Sequence, residues 1–167
     1  MWSAVFGTIF CFGSAYLVEK SKGLAVLRRA VSLLALLPLA LPGMVVGFAY
    51  IFFFNSPVWT LGPLHIPNPF NAFYGSMVIL VLCNSIHFFT VGFFTATTAL
   101  KQLDREFETV SYSLGVPFWV TFKRVTVAVC SPAILEIFFF FFVNSMTTVS
   151  AVIFLYNADL PLASVAI

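Results

Sequence analysis

Charged side chains are scarce in this sequence. Lysine, arginine, aspartate and glutamate together make up 8% of its 167 residues, against roughly a quarter in soluble globular chains. Eight basic and six acidic residues cannot coat a core of this size, so a soluble domain is excluded. The net charge is only +2 and the basic residues are clustered, which removes the footprint that nucleic-acid binding requires. Cysteine is sparse too. Cys11, Cys83 and Cys130 stand in or beside apolar runs with no CxxC or Cys/His spacing, so they read as small apolar residues. His65 and His87 fall on different elements without a paired carboxylate or thiolate, and no metal site is expected. The sequence has no Gly-x4-Gly-Lys-Ser/Thr loop and no nucleophile–base or carboxylate pair outside residues 99–131, so no ATP site, cofactor or catalytic residue is assigned.

Apolar residues are abundant, at 61%. Four runs, at about 2–18, 30–54, 74–97 and 132–156, are each long enough, at roughly 17 to 25 residues, to cross a hydrocarbon core of about 30 Å. The expected fold is an all-α polytopic membrane bundle, with residues 1–167 as a single transmembrane domain. The first run has no basic leader and no evident small-residue cleavage site, and is taken as a span rather than a signal peptide. Every basic residue lies between spans one and two (Lys20, Lys22, Arg28, Arg29) or between spans three and four (Lys101, Arg105, Lys123, Arg124). Short cytoplasmic loops collect such residues, so both loops face the cytoplasm and the N-terminus and C-terminal tail face outward.

Pro38, Pro42, Gly43 and Gly47 interrupt the second run and predict a kinked helix. Close helix packing and a gating hinge are both compatible with that kink. The outer segment with Pro57, Pro63, Pro67 and Pro69 is expected to form turns and extended chain.

Residues 99–131 are too many for a structureless connector. Leu103, Phe107, Val110 and Leu114 recur at spacings of four and three, opposite Asp104, Arg105, Glu108 and Ser111, which predicts a short amphipathic helix. Asp104 and Glu106 suit its positive end, Gly115 suits a left-handed stop, and Pro117 suits the first turn of a second helix. A helix lying in lipid headgroups is normally strongly basic. Here Asp104, Glu106 and Glu108 oppose Lys101 and Arg105, so a cytoplasmic protein partner fits better.

The string Leu103-Asp104-Arg105-Glu106-Phe107-Glu108 to Ser113-Leu114-Gly115, then Val116-Pro117-Phe118-Trp119, Thr121-Phe122, Arg124-Val125-Thr126 and Ser131-Pro132-Ala133-Ile134, resembles the EAA loop of binding-protein-dependent ABC permeases. The likeness extends to Leu36-Leu37-Pro38, Pro42-Gly43, Gly47, Tyr50 to Asn55 and Val143 to Tyr156, which are similar to 2-aminoethylphosphonate permeases and more loosely to ferric-iron permeases. It implies a bacterial inner-membrane import subunit that moves a solute by alternating access. The implied partners are a dimer of cytoplasmic ATPase subunits holding ATP and Mg, a second permease half or subunit, and a periplasmic or extracellular solute-binding protein. It also implies that Glu108, Thr109, Ser111, Leu114, Gly115, Pro117, Trp119, Phe122 and Arg124 form the ATPase-coupling loop. The sequence departs from the pattern at two places. The Glu-Ala-Ala triplet is Thr109-Val110-Ser111, and a later proline is Ala128. Glu108 stands one position early, a rotation of about 100° on a helix. Family permeases carry at least one more span after Asn157, so this chain is expected to be part of a longer permease. A membrane scaffold or inactive fragment is the alternative.

Asn84 and Ser85 in the third run, and Asn144, Thr147, Thr148 and Ser150 in the fourth, are polar groups at membrane depth. They are candidates for the substrate pathway or for helix-to-helix hydrogen bonding. Glu136 lies close enough to the cytoplasmic surface to snorkel or to pair with Arg124 or Lys123, and pairing is the expectation.

Overall fold

The computed structural model describes residues 1–20, 25–61 and 64–148, together with Leu155. It is a helical bundle, as the apolar runs require. Helix α1 (Trp2–Lys20) is unbroken, and is the one described helix long and apolar enough to cross a membrane alone. Three further stretches reach that length only as bent pairs. Helices α2 (Ala25–Leu34) and α3 (Leu37–Ala40) meet α4 (Gly43–Asn55) at 105°, and α5 (Met77–His87) meets α6 (Phe89–Gln102) at 57°. The helical segment Phe118–Val129 meets α10 (Ser131–Thr147) at 69°.

The first bend is a full break rather than a kink. Leu41 is extended (φ −95°, ψ 125°), as the residue before a proline tends to be, and so is Pro42 (φ −58°, ψ 141°). Helix α4 then restarts on the Pro42 carbonyl, which accepts from the N–H groups of Val45 and Val46. No proline or glycine stands at the second bend. There Phe88 leaves helical geometry and packs edge-on against Phe140 and Phe141, with ring centroids 5.7 and 6.4 Å away. Tertiary packing, not a local breaker, accompanies this bend.

Helix α1 is the hub, packed against α5, α6 and α10. Its buried face is made of small residues, Ala4, Gly7, Cys11 and Ala15, spaced by three and four. Lipid tails are as apolar as these side chains, so close packing rather than water exclusion holds such helices together. Gly7 shows the fit. A Cβ there would stand 2.7 Å from the ring of Phe141, which is itself fully buried. Phe93, Leu100 and Ile137 complete this core, and a second cluster joins Val46 of α4 to Ile79, Leu80 and Cys83 of α5. The Thr90 hydroxyl at the start of α6 donates to the Ala35 carbonyl beside α3 (2.6 Å), tying the two broken stretches together.

The outer segment is more ordered than turns and extended chain. Strands β1 (Val58–Leu61) and β2 (Leu64–Pro67) pair antiparallel, with Trp59 opposite Ile66. Asn68 donates from its amide to the carbonyls of Phe53 (2.7 Å) and Ser56 (2.9 Å), and Asn71 to those of Phe54 (2.8 Å) and Asn55 (3.0 Å). The carbonyls orphaned at the end of α4 are thereby satisfied. Two asparagines that read as loop residues are therefore a helix cap.

Candidate functional site: a helical hairpin

Helix α7 (Arg105–Ser113) starts on Asp104, whose carboxylate accepts from the Glu106 N–H (3.0 Å). It ends in a six-to-one and five-to-two pair of backbone bonds. Val116 N–H donates to Ser111 and Gly115 N–H to Tyr112, both at 3.0 Å. This closure needs a left-handed residue, and Gly115 supplies it with φ +67°. Pro117 is extended (φ −58°, ψ 140°) and caps α8 (Phe118–Thr121) instead of lying in its first turn. Its carbonyl accepts from Val120 and Thr121. The chain then passes through a five-residue π-helical segment (Phe122–Thr126) into α9 (Val127–Val129), and turns at Cys130 into α10. Residue patterning carries no signal for the π segment, which widens the helix by one residue where such bulges often mark functional sites.

The hairpin is held at its base and bare at its tip. Leu103 and Thr126 are buried, and Phe122 packs edge-on against Tyr16 of α1 with centroids 4.8 Å apart. Tyr16 had no place in the expectation for this loop, yet it seats the second arm on the bundle. The apolar stripe of α7 finds no such seat. Phe107 and Val110 are more than half exposed, Leu114 is 74% exposed and Trp119 in the second arm 73%. Thr109, Gly115, Pro117 and Arg124 are exposed, and Ser111 is half-buried. The backbone of Glu108 lies in α7, while its side chain lies outside the described residues. Glu136 is exposed and makes no ion pair with Lys123 or Arg124 among the described residues, contrary to expectation.

Residues 13–165 match the family described as binding-protein-dependent transport system inner membrane component. The chain belongs to that family. Among curated proteins this permease chain is 33% identical over 132 residues to FbpB 1 of Haemophilus influenzae, named for a ferric transport system permease. It is 30% identical over 137 residues to the ferric transport system permease protein FbpB of Actinobacillus pleuropneumoniae. These alignments cover 79% and 82% of the chain but only 19% and 18% of the relatives, so the chain spans about a fifth of their length.

The polar residues at membrane depth divide into two groups. On α10 the Asn144 amide donates to Phe140 O (2.8 Å) and the Thr147 hydroxyl to Val143 O (3.1 Å), so both serve their own helix. Thr147 is exposed, Thr148 half-buried at the helix end, and Ser150 lies outside the described residues. On α5, by contrast, Asn84 and Ser85 are buried, and their Oδ1 and Oγ atoms have no hydrogen-bond partner among the described residues. His87 Nδ1 and the Ser145 hydroxyl share that condition. Neither of these two was singled out for the pathway. His87 ends α5, three residues after Asn84, and Ser145 sits one position after Asn144. Buried polar atoms left unpaired are uncommon and call for a partner.

Proposed function

We propose that this permease chain helps carry a solute inward across the inner membrane by alternating access, with ATP and Mg held by a separate ATPase dimer that docks on the hairpin of α7 to α9. An outer solute-binding protein would deliver the solute, and a second permease half or subunit would complete the path. The observation that carries the proposal is the exposed apolar tip, Phe107, Val110, Leu114 and Trp119. It lies on a segment flanked by cytoplasm-facing basic residues, where water rather than lipid would meet it, and an apolar surface in water calls for a protein partner. Family membership supports the same reading, since the family is named for its dependence on a binding protein.

For the substrate, the names of both relatives favour ferric iron over a phosphonate. Along the path, Asn84 and Ser85 are the better candidates, because Asn84 Oδ1 and Ser85 Oγ have no partner among the described residues, whereas Asn144 and Thr147 are engaged by their own helix. The deciding test is co-purification with the ATPase subunit of the same transporter, comparing wild type with Gly115→Pro. Capture by wild type and loss in the variant, with equal amounts of both in the membrane, is the expected result. Equal capture of both would remove the coupling role from the hairpin.

A further inference from the structure

We propose that the cytoplasmic ends of α1 and α2 form a binding site for the phosphate headgroup of an anionic phospholipid. Residues of both helices line two adjoining clefts there, of about 560 and about 400 Å³, that share Val18 and Arg28. Lys20 lies in the last turn of α1, and Arg28 and Arg29 lie in the first turns of α2, so all three cations stand at one level. Deeper along α2 the lining is Val31, Ser32 and Leu33, and just past the end of α2 the Ala35 carbonyl accepts from Thr90. A basic rim over an apolar wall matches the order of groups along a phospholipid, headgroup first and acyl chain beyond. A free phosphate would gain nothing from that wall.

The local charge also favours an anion. Among the described residues Glu19 holds Arg28 at 3.4 Å, while Arg29 has no ion pair. No side chain of α2 is buried, and Leu27 and Leu33 of the cleft lining are 55% and 66% exposed, so lipid has direct access to this face. Attraction of about 1 kcal/mol per basic residue near an anionic surface makes one arginine worth about fivefold in affinity.

The test is native mass spectrometry of the full chain in neutral detergent after exchange against phosphatidylglycerol or phosphatidylcholine. Wild type should retain phosphatidylglycerol selectively. Arg29→Gln should lower retention about fivefold, Arg29→Lys should restore it, and Glu19→Gln, which deletes the competing carboxylate, should raise it. Equal retention of both lipids, no effect of Arg29→Gln, or a fall with Glu19→Gln would overturn the proposal. Displacement by millimolar inorganic phosphate would also overturn it, since the site would then belong to a small soluble anion. Because the readout involves neither ATPase nor transported solute, failure here leaves the proposed transport role standing.

Discussion

The bundle around α1 and the hairpin of α7 to α9 are both rich in large apolar side chains, yet they use them in opposite ways. In the bundle, Phe93, Phe141, Leu100 and Ile137 are buried to 1% exposure or less, against a helix face of small residues. In the hairpin, Leu114 and Trp119 stand about three-quarters exposed. Exposed leucines also occur on the bundle, such as Leu39 at 67%, but there the lipid is their solvent. The same exposure carries a different meaning on the two sides of the membrane surface. In lipid an exposed apolar side chain costs nothing, whereas an apolar surface in water is one that a protein partner would cover.

Substitutions can separate the two regions. The largest effect is expected from Gly115→Pro, because proline is locked near φ −65° and the turn needs +67°, and because the N–H that bonds Tyr112 is lost. A penalty of about 3 kcal/mol or more should cut uptake by the complete transporter about a hundredfold, with the chain still in the membrane. Next is Gly7→Leu, which drives a side chain into the buried Phe141 ring. It should cost about 1–3 kcal/mol, read as a lower unfolding midpoint in detergent, without a selective loss of ATPase capture from the protein that remains folded. Trp119→Ala should do the reverse. Removing an exposed aromatic anchor should weaken ATPase binding by about 2 kcal/mol, measured by titration, and leave the unfolding midpoint in place. A lowered midpoint with unchanged binding would show that Trp119 belongs to the bundle. The smallest effect is expected from Thr90→Val, which deletes the 2.6 Å bond to Ala35. It should lower stability by about 1 kcal/mol and raise protease access near the break at Leu41 and Pro42.

Much of the hairpin was legible in advance because its signals are local. Asp104, Gly115 and Pro117 act through their own backbone or that of near neighbours, and the spacing of Phe107, Val110 and Leu114 already described one face of a helix. Pro117 was misplaced by one step, from first turn to cap, since proline's fixed φ suits both positions. The missed features depend on distant partners. Asn68 and Asn71 read as loop residues until the end of α4 is placed beside them. Tyr16 reads as an ordinary span residue until Phe122 packs on it. Asn84, Ser85, Asn144 and Thr147 are equally plausible by residue type, and only the fold shows that Asn144 and Thr147 reach carbonyls of their own helix while Asn84 Oδ1 and Ser85 Oγ find no partner among the described residues.

The amino-acid sequence by itself determined the solvent, the helical class, the distribution of basic residues and the form of the hairpin. These follow from composition, from the hydrogen-bonding demand of backbone in lipid, and from local backbone preferences of glycine and proline. Only the tertiary structure decided that the second apolar run breaks by 105° rather than kinks, that Phe88 bends the third, and that the stripe of α7 stays uncovered. The reason is that each is settled by what packs against the residue, and residues as far apart as Gly7 and Phe141, or Ala35 and Thr90, meet only in the folded chain.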